Sequence, residues 1–565
     1  MSIKVADYLF TRLRQLGIQT VFGVPGDYNL RLLDFVEPSG LQWVGTCNEL
    51  NGAYAADGYA RINGLSALIT TFGVGELSAI NGIAGAYAEK APVIHIVGTP
   101  ERALQDNRTL VHHTLADGGD YGRFGAMASH VTVARADLRD PSLVPDQIDS
   151  VLRQALVHSR PVYLQVPDDV VDALVDTSNL ATPITIPQTP APANQPTVLD
   201  RVTERMYAAK RPLILVDGDI RPMGIVKEVD ELIRLTNWPT WTNPFGKGLV
   251  NESLDNVYGI YHASFGDAAW KDYFTSADLA IVLGPHYTTT NSLAFTTLPS
   301  QDVSILLSPS TVQIGKDTYR DISRDFLRQL ISRLDAPQIP KTTGPPKLPI
   351  TTIDSLPPSD PITQEHFWNV VNPLVQPNDL VLAETGTSAH GTRHFTLPPN
   401  TPYFTAVTWL SIGYMLPATL GATIAHKQLN KTSKPSRGIL FVGDGSLQMS
   451  VQELSTMIRE KLNLVIIVVN NDGYTIERAI HGRKQRYNDI APWRHALAMS
   501  FFGAEEEHAR ENYLVARTWG ELEKVLVDKR ITEGDGIRVV EVYMEKEDVQ
   551  GILLSLLNKQ IAAEQ

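Results

Sequence analysis

The sequence predicts an α/β protein built from three domains, each a doubly wound parallel sheet. Short apolar runs typical of buried strands alternate with stretches of helical hydrophobic periodicity, which is the pattern of strand–helix–strand units. Two proline-rich stretches without periodicity, residues 182–196 and 337–360, indicate extended linkers. They divide the chain into blocks 1–181, 197–336 and 361–565, each close to the usual size of a domain.

The first block shows the clearest alternation of strands and helices. An Ala-rich helix is predicted over residues 49–59 and a second helix over residues 77–88. Alternation of this kind produces a parallel sheet with right-handed crossovers. The strands predicted in the three blocks are 20–24, 41–45, 67–72, 92–97, 213–216, 280–283, 303–307, 380–383, 438–442 and 464–469.

Composition limits the possible classes of function. Of the 565 residues, 43% are hydrophobic and 20% are charged, which are values of a globular protein with large cores. The formal net charge of −13 argues against nucleic acid or an anionic membrane as the main partner. Cys47 is the only cysteine, so the chain forms no internal disulfide and fits a reducing compartment. The N-terminus lacks signal-peptide character and no apolar run reaches the roughly 20 residues of a membrane span, so a cytoplasmic protein is expected.

One stretch of the third block places polar residues at the ends of two predicted strands. A Gly-Asp-Gly sequence at 443–445 follows one apolar run, and a pair of asparagines ending at Asn471 closes the next. Parallel strands bring their carboxyl ends to one edge, where open α/β sheets bind ligands. Oxygen atoms from Asp444, Asn471 and the carbonyl of Gly473 suit Mg²⁺. A tight turn is the plain alternative for Gly-Asp-Gly alone, but the flanking strands and the asparagine pair favour a metal-bridged diphosphate site.

Three polar groups in the first block have ordinary explanations when each is taken alone. Asp27 follows a predicted strand and suits a turn. Asn48 and Glu49 open the Ala-rich helix as its cap and as a partner of the helix dipole. His112 and His113 lie in a mostly polar segment, where histidines are usually just exposed. A zinc site is rejected there, because adjacent side chains chelate one metal poorly and neither a cysteine nor a third histidine is near.

Taken together, these groups resemble those of the pyruvate decarboxylase family, a branch of the thiamine diphosphate enzymes. The resemblance extends over nearly the whole chain, and the fungal-type members look most similar. The histidine pair and Glu477 are its specific part, because they mark the 2-keto acid decarboxylases within a wider superfamily. The matching stretches are VFGVPGD at 21–27, NELN at 48–51, AYAADGYAR at 53–61, TFGVGELSA at 71–79, HHTL at 112–115, ETGT at 384–387 and NDGYTIE at 471–477.

The resemblance implies a pyrimidine-binding domain, a middle domain and a diphosphate-binding domain in the three blocks. It implies thiamine diphosphate and Mg²⁺ as cofactors, with Asp444, Asn471 and the Gly473 carbonyl as metal ligands. In the family a glutamate matching Glu49 bonds N1′ of the aminopyrimidine from a buried position, where desolvation raises a carboxyl pKa. The residue matching Ile412 wedges the cofactor into its bent shape, and the carbonyl of Leu410 takes the 4′-amino group. The residues that the resemblance assigns to the cofactor are Glu49, Thr385, Thr387, Leu410, Ile412, Gly443, Asp444, Gly445, Ser446, Asn471, Gly473, Tyr474 and Ile476.

The implied reaction is the non-oxidative decarboxylation of a 2-keto acid to an aldehyde and CO₂, with the cofactor as electron sink. The residues implied in catalysis are Asp27, Glu49, His112, His113 and Glu477. Yeast-type pyruvate enzymes carry phenylalanines where this chain has Thr290 and His390. A wider pocket is therefore predicted, accepting larger aliphatic or aromatic 2-keto acids alongside pyruvate. The predicted pocket residues are Thr290, Ala389, His390, Ile476 and Ile480.

The resemblance also implies a homo-oligomer, at least a dimer and commonly a tetramer. The first block of one subunit would meet the third block of another at each active site. Two alternatives differ in class from the decarboxylase. A carboligase such as acetohydroxyacid synthase lacks the histidine pair and often carries flavin. A non-catalytic scaffold or regulator predicts damage at Glu49, Asp444 or Glu477, and none is seen.

Overall fold

The computed structural model of the chain describes residues 2–187, 190–430 and 437–564. Within that part, three sheets of six, seven and six strands follow one another along the chain. A two-stranded antiparallel ribbon of Ser2–Lys4 and Leu174–Asp176 accompanies them. The predicted α/β class and its parallel sheets are confirmed. The exact domain bounds stay predictions, and residues 188 and 189 of the first predicted linker lie outside the described residues.

The first sheet is parallel throughout, and its central strands are buried because helices cover both faces. Each strand predicted for the first block is present, displaced by at most two residues at either end. In spatial order its strands are Gln42–Gly45, Thr20–Gly23, Ser66–Thr71, Val93–Thr99, Val162–Pro167 and Arg135–Asp137. Its helices are Val5–Gln15, Leu30–Leu33, Glu49–Asn63, Val74–Ala88, Arg102–Asp106, Gly122–Ala128 and Val144–His158.

The middle sheet is parallel except at one edge, where a hairpin of Thr311–Ile314 and Asp317–Arg320 runs antiparallel. This hairpin is absent from the predicted strands, although the alternating TVQI run and the left-handed Gly315 (φ +60°) are typical of one. In spatial order the strands are Val257–Ile260, Thr240–Thr242, Pro212–Val216, Leu279–Leu283, Ser304–Ser308, Thr311–Ile314 and Asp317–Arg320. The helices are Gln195–Ala208, Ile220–Met223, Val226–Thr236, Ala268–Thr275 and Phe326–Arg333.

The third sheet is again parallel throughout. After Gly445, the helical spacing of Leu447, Val451, Leu454 and Ile458 predicts a single helix. In the structure a 3₁₀ turn at Val451–Glu453 divides it in two. In spatial order the strands are Tyr403–Phe404, Leu380–Ala383, Gly438–Gly443, Leu464–Asn470, Ile537–Tyr543 and Tyr513–Ala516. The helices are Gln364–Val371, Thr387–Gly391, Met415–Leu429, Asp444–Ser450, Leu454–Arg459, Thr475–Ile480, Ala498–Phe501, Glu506–Glu511, Trp519–Leu526, Lys529–Thr532 and Gly551–Ala563.

The second predicted linker lies along the middle domain and contains only short 3₁₀ turns. Aromatic side chains of the middle domain hold it by donating hydrogen bonds to its backbone carbonyls. These bonds run from Trp238 to Pro340, from Tyr258 to Pro345 and from Trp270 to Pro346, at 2.9, 2.8 and 2.9 Å. The last residues of the first predicted linker already belong to the helix Gln195–Ala208.

Helices Glu49–Asn63 and Met415–Leu429 join the first and third domains through direct backbone contact. An added Cβ at Gly421 would lie 1.8 Å from a carbonyl oxygen of the other helix, and one at Gly58 would lie 2.0 Å from one. Only glycine permits so close an approach of two backbones. A single buried apolar cluster extends from the first sheet through this helix pair to the third sheet. The joint fixes Glu49, the first residue of its helix, relative to the third domain.

Membrane crossing finds no support in the helices. Among the described residues, no helix combines the length and the apolar character that a bilayer span requires.

Candidate active site

A cleft opens at the carboxyl ends of the central strands of the third sheet, the edge at which the sequence predicts a diphosphate site. Residues from four separate segments meet there, because the strands that precede them are neighbours in the sheet. Most of the predicted cofactor residues are among those that line it. The lining residues are Thr385, Gly386, Thr387, Ser388, Ile412, Gly443, Gly445, Ser446, Asn471, Gly473, Tyr474, Thr475 and Ile476.

The three predicted metal ligands converge beside this cleft. One terminal atom of the Asn471 amide lies 2.9 Å from the carbonyl oxygen of Gly473 and 3.2 Å from Oδ1 of Asp444. An octahedral Mg²⁺ with bonds near 2.1 Å places neighbouring ligand oxygens about 3 Å apart. The separations therefore fit one cation held by an amide oxygen, a backbone carbonyl and a carboxylate. With the amide turned over, its nitrogen donates to both oxygens instead.

The wall of the cleft leaves room and hydrogen-bonding capacity for a phosphate group. Ser388 Oγ is buried and has no hydrogen-bond partner among the described residues. Gly386 has φ +117°, and an added Cβ there would meet only Ile476, at 3.9 Å. The described part of the chain holds no group of three or more His, Cys, Asp or Glu side chains arranged to hold a metal ion. A site with one carboxylate and neutral oxygens suits Mg²⁺ that is completed by phosphate oxygens, so the residues present fit the diphosphate and its metal.

Asp444 lies under the cleft and is 2% exposed. Its Oδ1 accepts a hydrogen bond from the Gly445 N–H at 2.8 Å, and its Oδ2 accepts one from the Gly473 N–H at 3.2 Å. Burial raises the pKa of Asp444 to about 6, and the two N–H groups oppose that rise. A divalent cation favours the ionised carboxylate, so the cation and the charge stabilise each other.

Two buried carboxylates hold the loop that carries Leu410 and Ile412. Glu89 of the first domain accepts hydrogen bonds from three successive N–H groups, those of residues 407–409, at 2.9, 2.7 and 3.0 Å. Glu384 accepts from the N–H groups of residues 385 and 415 at 2.8 and 2.9 Å. Leu410 has φ +55°, a left-handed conformation uncommon outside glycine, and these bonds hold the loop around it.

Sequence reasoning gave neither glutamate a role. Glu384 directly follows a buried apolar strand, and a charged residue at that point is a signal that could have found it. Glu89 ends an apolar helix in the same way, but its partners are more than 300 positions away in the sequence. Both act on the loop through backbone bonds, which leave no trace in residue type at the other end.

The structure brings Asp27, His112 and His113 together at the lip of the first domain. Asp27 Oδ2 lies 2.9 Å from Nε2 of His112, and the hydroxyl of Tyr28 lies 3.3 Å from Nδ1 of the same ring. The two histidine rings meet edge to face with centroids 4.6 Å apart. The side chains of Asp27 and His112 are 70% and 55% exposed. This acid–base cluster, residues 27, 112 and 113, therefore faces solvent in the single chain.

Glu49 is half-buried, whereas the resemblance implies a fully buried carboxylate. Asn48 caps its helix by accepting a hydrogen bond from the Asn51 N–H at 2.8 Å. The buried Glu453 of the third domain accepts from the Asn51 side chain at 2.9 Å and from the Cys47 N–H at 3.3 Å. The turn that carries Glu49 is thus docked on the third domain. Among the described residues, no hydrogen bond or ion pair joins Glu49 to the metal-ligand residues.

The short helix Thr475–Ile480 carries the remaining predicted residues of the third domain. Ile476 lines the cleft and packs against an apolar cluster that includes the C-terminal helix Gly551–Ala563. Glu477 and Ile480 are exposed. The helix therefore presents an apolar face to the cleft and a carboxylate to solvent.

The predicted pocket residues from other segments are not joined by any hydrogen bond or ring contact among the described residues. Ala389 is buried and His390 is half-buried, both on the helix that begins at the cleft with Thr387. Thr290 is half-buried in the loop after the middle-domain strand Leu279–Leu283.

Comparison with known families shows the class of protein that this fold and cleft define. Three thiamine pyrophosphate enzyme families match in order: the N-terminal TPP binding domain over residues 3–120, the central domain over 199–339 and the C-terminal TPP binding domain over 384–542. The chain is a thiamine diphosphate-dependent enzyme with the three-domain fold of that class.

Individual relatives narrow the class to one family. The chain is 50% identical to a pyruvate decarboxylase of Aspergillus parasiticus, over 100% of this chain and 98% of that protein. It is 40% identical to a pyruvate decarboxylase of Aspergillus fumigatus, over 98% and 96%. It is also 40% identical to pyruvate decarboxylase isozyme 1 of Saccharomyces cerevisiae, over 96% of each chain. The chain belongs to the pyruvate decarboxylase family, whose members are carbon–carbon lyases.

Proposed function

We propose that this chain decarboxylates 2-keto acids to aldehydes and CO₂ in an active site shared between two subunits. The convergence of the Asn471, Gly473 and Asp444 oxygens beside an open cleft carries the proposal. When bound, thiamine diphosphate supplies the electron sink for the negative charge that departing CO₂ leaves on carbon. These three residues hold its Mg²⁺, and the loops around Gly386 and Gly445 receive its diphosphate.

The remaining predicted residues handle protons. Glu49 holds a proton at N1′ of the aminopyrimidine. Asp27, His112, His113 and Glu477 bind the substrate carboxylate and deliver a proton to the reacting carbon before the aldehyde leaves. The 2.9 Å contact of Asp27 with His112 supports this role, because paired acid and imidazole groups exchange protons readily. A proton-delivering cluster favours release of an aldehyde over condensation with a second keto acid.

The substrate range is proposed to include pyruvate and larger 2-keto acids. Ala389 is small and buried, and Ile476 presents an apolar surface to the cleft. An apolar pocket gains about 0.8 kcal/mol for each substrate CH₂ that it buries. We place the enzyme in the cytoplasm, as its single cysteine suggests.

Apolar side chains that are exposed beside the cleft in the single chain support a subunit interface there. Trp409, in the loop that carries Leu410 and Ile412, is 44% exposed. Met449, which packs against Gly413, is 54% exposed. Exposed apolar side chains next to a ligand cleft are typical of surfaces that a partner covers. In the proposed dimer, the first domain of one subunit brings its Glu49 to the cleft of the other, and two such dimers form a tetramer.

The activity is tested with purified protein, Mg²⁺, thiamine diphosphate and a panel of 2-keto acids, reading aldehyde by coupled reduction. Aldehyde formation from pyruvate and from 2-ketobutyrate, 2-ketoisovalerate or phenylpyruvate is expected. Condensation products in place of aldehyde would overturn the decarboxylase assignment.

The shared site is tested by coexpressing Glu49→Gln and Asp444→Ala subunits with different affinity tags. Each variant alone is expected to be inactive. If sites are shared, one site of every hybrid dimer combines an intact Glu49 with an intact Asp444. About a quarter of wild-type activity is expected, because half of the dimers are hybrids and each holds one intact site. Absence of activity in purified hybrids would show that each site lies within one chain.

A further inference from the structure

Arg393 is a buried cation for which the described residues supply no partner. It lies in the 3₁₀ turn Thr392–His394, directly after the helix that begins at the cleft with Thr387, and is 3% exposed. Its Nε has no hydrogen-bond partner, and among the described residues none accepts a hydrogen bond or an ion pair from its guanidinium. Buried arginines are almost always paired, so this one indicates a missing negative charge.

Its surroundings are rich in nitrogen donors. The rings of His262, from the middle domain, and His394 stack at 4.8 Å between centroids and 6° between planes. Burial, and the nearby positive charge of Arg393, lower the pKa of His390 well below its ordinary value, and the same causes act on His262. Neutral imidazoles each keep one N–H to donate.

The nearby carboxylate is already in use. Glu252 accepts two hydrogen bonds from the buried Lys247 ammonium, at 3.1 and 2.9 Å, and one from the N–H of Leu397 at 2.9 Å. Its charge is balanced by Lys247. Burial lowers the pKa of Arg393 only to about 10, so the guanidinium stays charged near neutral pH. The guanidinium of Arg393 is therefore a positive charge that the described residues around it leave without compensation.

We propose that Arg393, His262, His390 and His394 form an oxyanion site that binds a carboxylate or a phosphate group. The planar guanidinium matches the two oxygens of such a group, and the imidazoles supply further donors. His394 is exposed and gives the site an entrance from solvent. The helical rise from Thr387 to Arg393 puts the site roughly 10 Å from the cofactor cleft.

Two sources of the anion fit this position. One is a free anion such as inorganic phosphate. The other is the distal carboxylate of a 2-keto diacid whose keto end lies in the cleft. The second source rests on the proposed decarboxylase function, whereas the existence of the site does not.

Binding is tested by titrating the holoenzyme calorimetrically with inorganic phosphate and, separately, with glutarate. The wild type is expected to bind at least one of them at one site per chain. Arg393→Gln should weaken that binding at least about tenfold, the scale of a lost charged hydrogen bond. Arg510→Gln, at an exposed helical position, is the matched control and should bind as the wild type does.

Thermal stability gives a readout that needs no activity. Without an added anion, Arg393→Gln should melt at the wild-type temperature or above it, because the variant removes an uncompensated buried charge. The bound anion should raise the Tm of the wild type by at least about 3 °C and leave that of Arg393→Gln unchanged. A lower Tm for the variant in anion-free buffer would show that a protein group already pairs with Arg393, and would overturn the proposal.

Kinetics separate the two sources. 2-Ketoadipate and 2-ketohexanoate have the same chain length and differ in the distal carboxylate. If Arg393→Gln lowers the ratio of kcat/KM for 2-ketoadipate to kcat/KM for 2-ketohexanoate at least about tenfold relative to the wild type, the site binds the distal carboxylate of the substrate. An unchanged ratio with weakened phosphate binding assigns it to a free anion. Equal binding of both probes to the wild type and Arg393→Gln, or no binding to either, overturns the site. An enzyme inactive on every 2-keto acid would refute the proposed function and leave the two binding tests intact.

Discussion

The cofactor cleft of the third domain and the acid–base cluster of the first domain differ in how complete they are within one chain. In the cleft, Asp444 is 2% exposed and already hydrogen-bonded, and the amide of Asn471, another proposed metal ligand, lies 3.2 Å from its Oδ1. In the cluster, Asp27 and His112 contact each other but have mostly exposed side chains. Glu49 lies between these extremes, fixed at its backbone and open at its carboxylate.

The difference shows that the two halves of the chemistry are built by different means. Backbone bonds from the turns that follow neighbouring strands hold the side chains of the proposed metal site in place before any partner subunit binds. The groups proposed to handle protons lie on a loop and on a helix end, and their exposed side chains would leave water only when another surface covers them. We therefore expect cofactor binding at the cleft to depend on local hydrogen bonds. We expect the activity of the acid–base cluster to depend on the surface that covers it in the proposed dimer.

The largest effect is expected from Asp444→Ala. Removing the charged metal ligand should weaken Mg²⁺-dependent binding of thiamine diphosphate by at least roughly a hundredfold, the scale of breaking a buried charge pair. Calorimetric titration of the apoenzyme with the cofactor measures this. Asp354→Ala, at an exposed carboxylate of the second predicted linker, is the control and should bind normally. Tight binding in Asp444→Ala would contradict a preorganised metal site.

Glu49→Gln should separate binding from catalysis. The amide keeps the shape of the side chain but cannot exchange a proton in the same way, so turnover should fall at least about a hundredfold while the cofactor still binds. Steady-state kinetics and cofactor retention measure the two effects. Glu37→Gln, at an exposed position of the first domain, should leave both unchanged. Turnover near that of the parent would reject the role of Glu49.

Gly421→Ala tests the joint between the two regions. The added Cβ would lie 1.8 Å from a backbone oxygen of the Glu49 helix, so the helices must separate. We expect a loss of about 3 kcal/mol in stability, the upper part of the range for overpacking. Differential scanning calorimetry checks this against Gly122→Ala, an exposed glycine at a helix start. An unchanged Tm would mean that the joint is not tight.

Glu76→Gln tests the support beneath the cluster. Glu76 accepts hydrogen bonds from the N–H of Gly73, which packs against His113, and from the hydroxyl of Tyr163, at 2.9 and 2.7 Å. Burial raises the pKa of Glu76 to about 7. The folded state therefore binds this proton more tightly than the unfolded state does. The resulting stability is present below pH 4.5, the ordinary pKa of a glutamate, and is lost as pH rises through 7.

Glutamine keeps both bonds and does not titrate, which sets the expected sign. Between pH 4.5 and pH 7.5, the stability of the wild type should fall relative to that of Glu76→Gln by up to about 3 kcal/mol. Urea unfolding at both pH values measures the difference. The exposed Glu101→Gln should follow the wild type at both. If the wild type instead became more stable relative to Glu76→Gln as pH rises, the raised pKa assigned to Glu76 would be wrong.

The smallest expected effect concerns the predicted substrate pocket, whose residues lie on the middle and third domains. The double variant Thr290→Phe, His390→Phe introduces the two phenylalanines of the yeast-type enzymes. It should fill part of the substrate pocket and shift preference toward pyruvate. About tenfold in the kcat/KM ratio of pyruvate over 2-ketoisovalerate is expected, the worth of roughly two methylenes. The Ile480→Leu variant conserves volume and should not change the ratio. Negligible activity of the parent on every larger 2-keto acid would refute the widened pocket.

The parts of the fold that sequence predicts well are those set by local pattern. Parallel strands such as Gly438–Gly443 appear as apolar runs, and the residues proposed as metal ligands follow them at the sheet edge. The break after Ser450 escaped prediction because the helical spacing of apolar residues continues through it. The antiparallel edge of the middle sheet escaped because its strands alternate and are not continuous apolar runs. Glu89 and Glu453 escaped because their partners lie hundreds of positions away. Arg393 escaped because only burial distinguishes it from a surface arginine.

The glycine contact between helices Glu49–Asn63 and Met415–Leu429 limits how the chain can be cut or recombined. The three sheets suggest three interchangeable modules, yet the apolar cluster between the first and third sheets belongs to both. The first domain expressed alone would present its Ala-rich helix to water and would be expected to aggregate. Grafting that domain onto another member of the family requires the matching glycine helix as well. The smallest unit that can be exchanged is therefore the pair of domains.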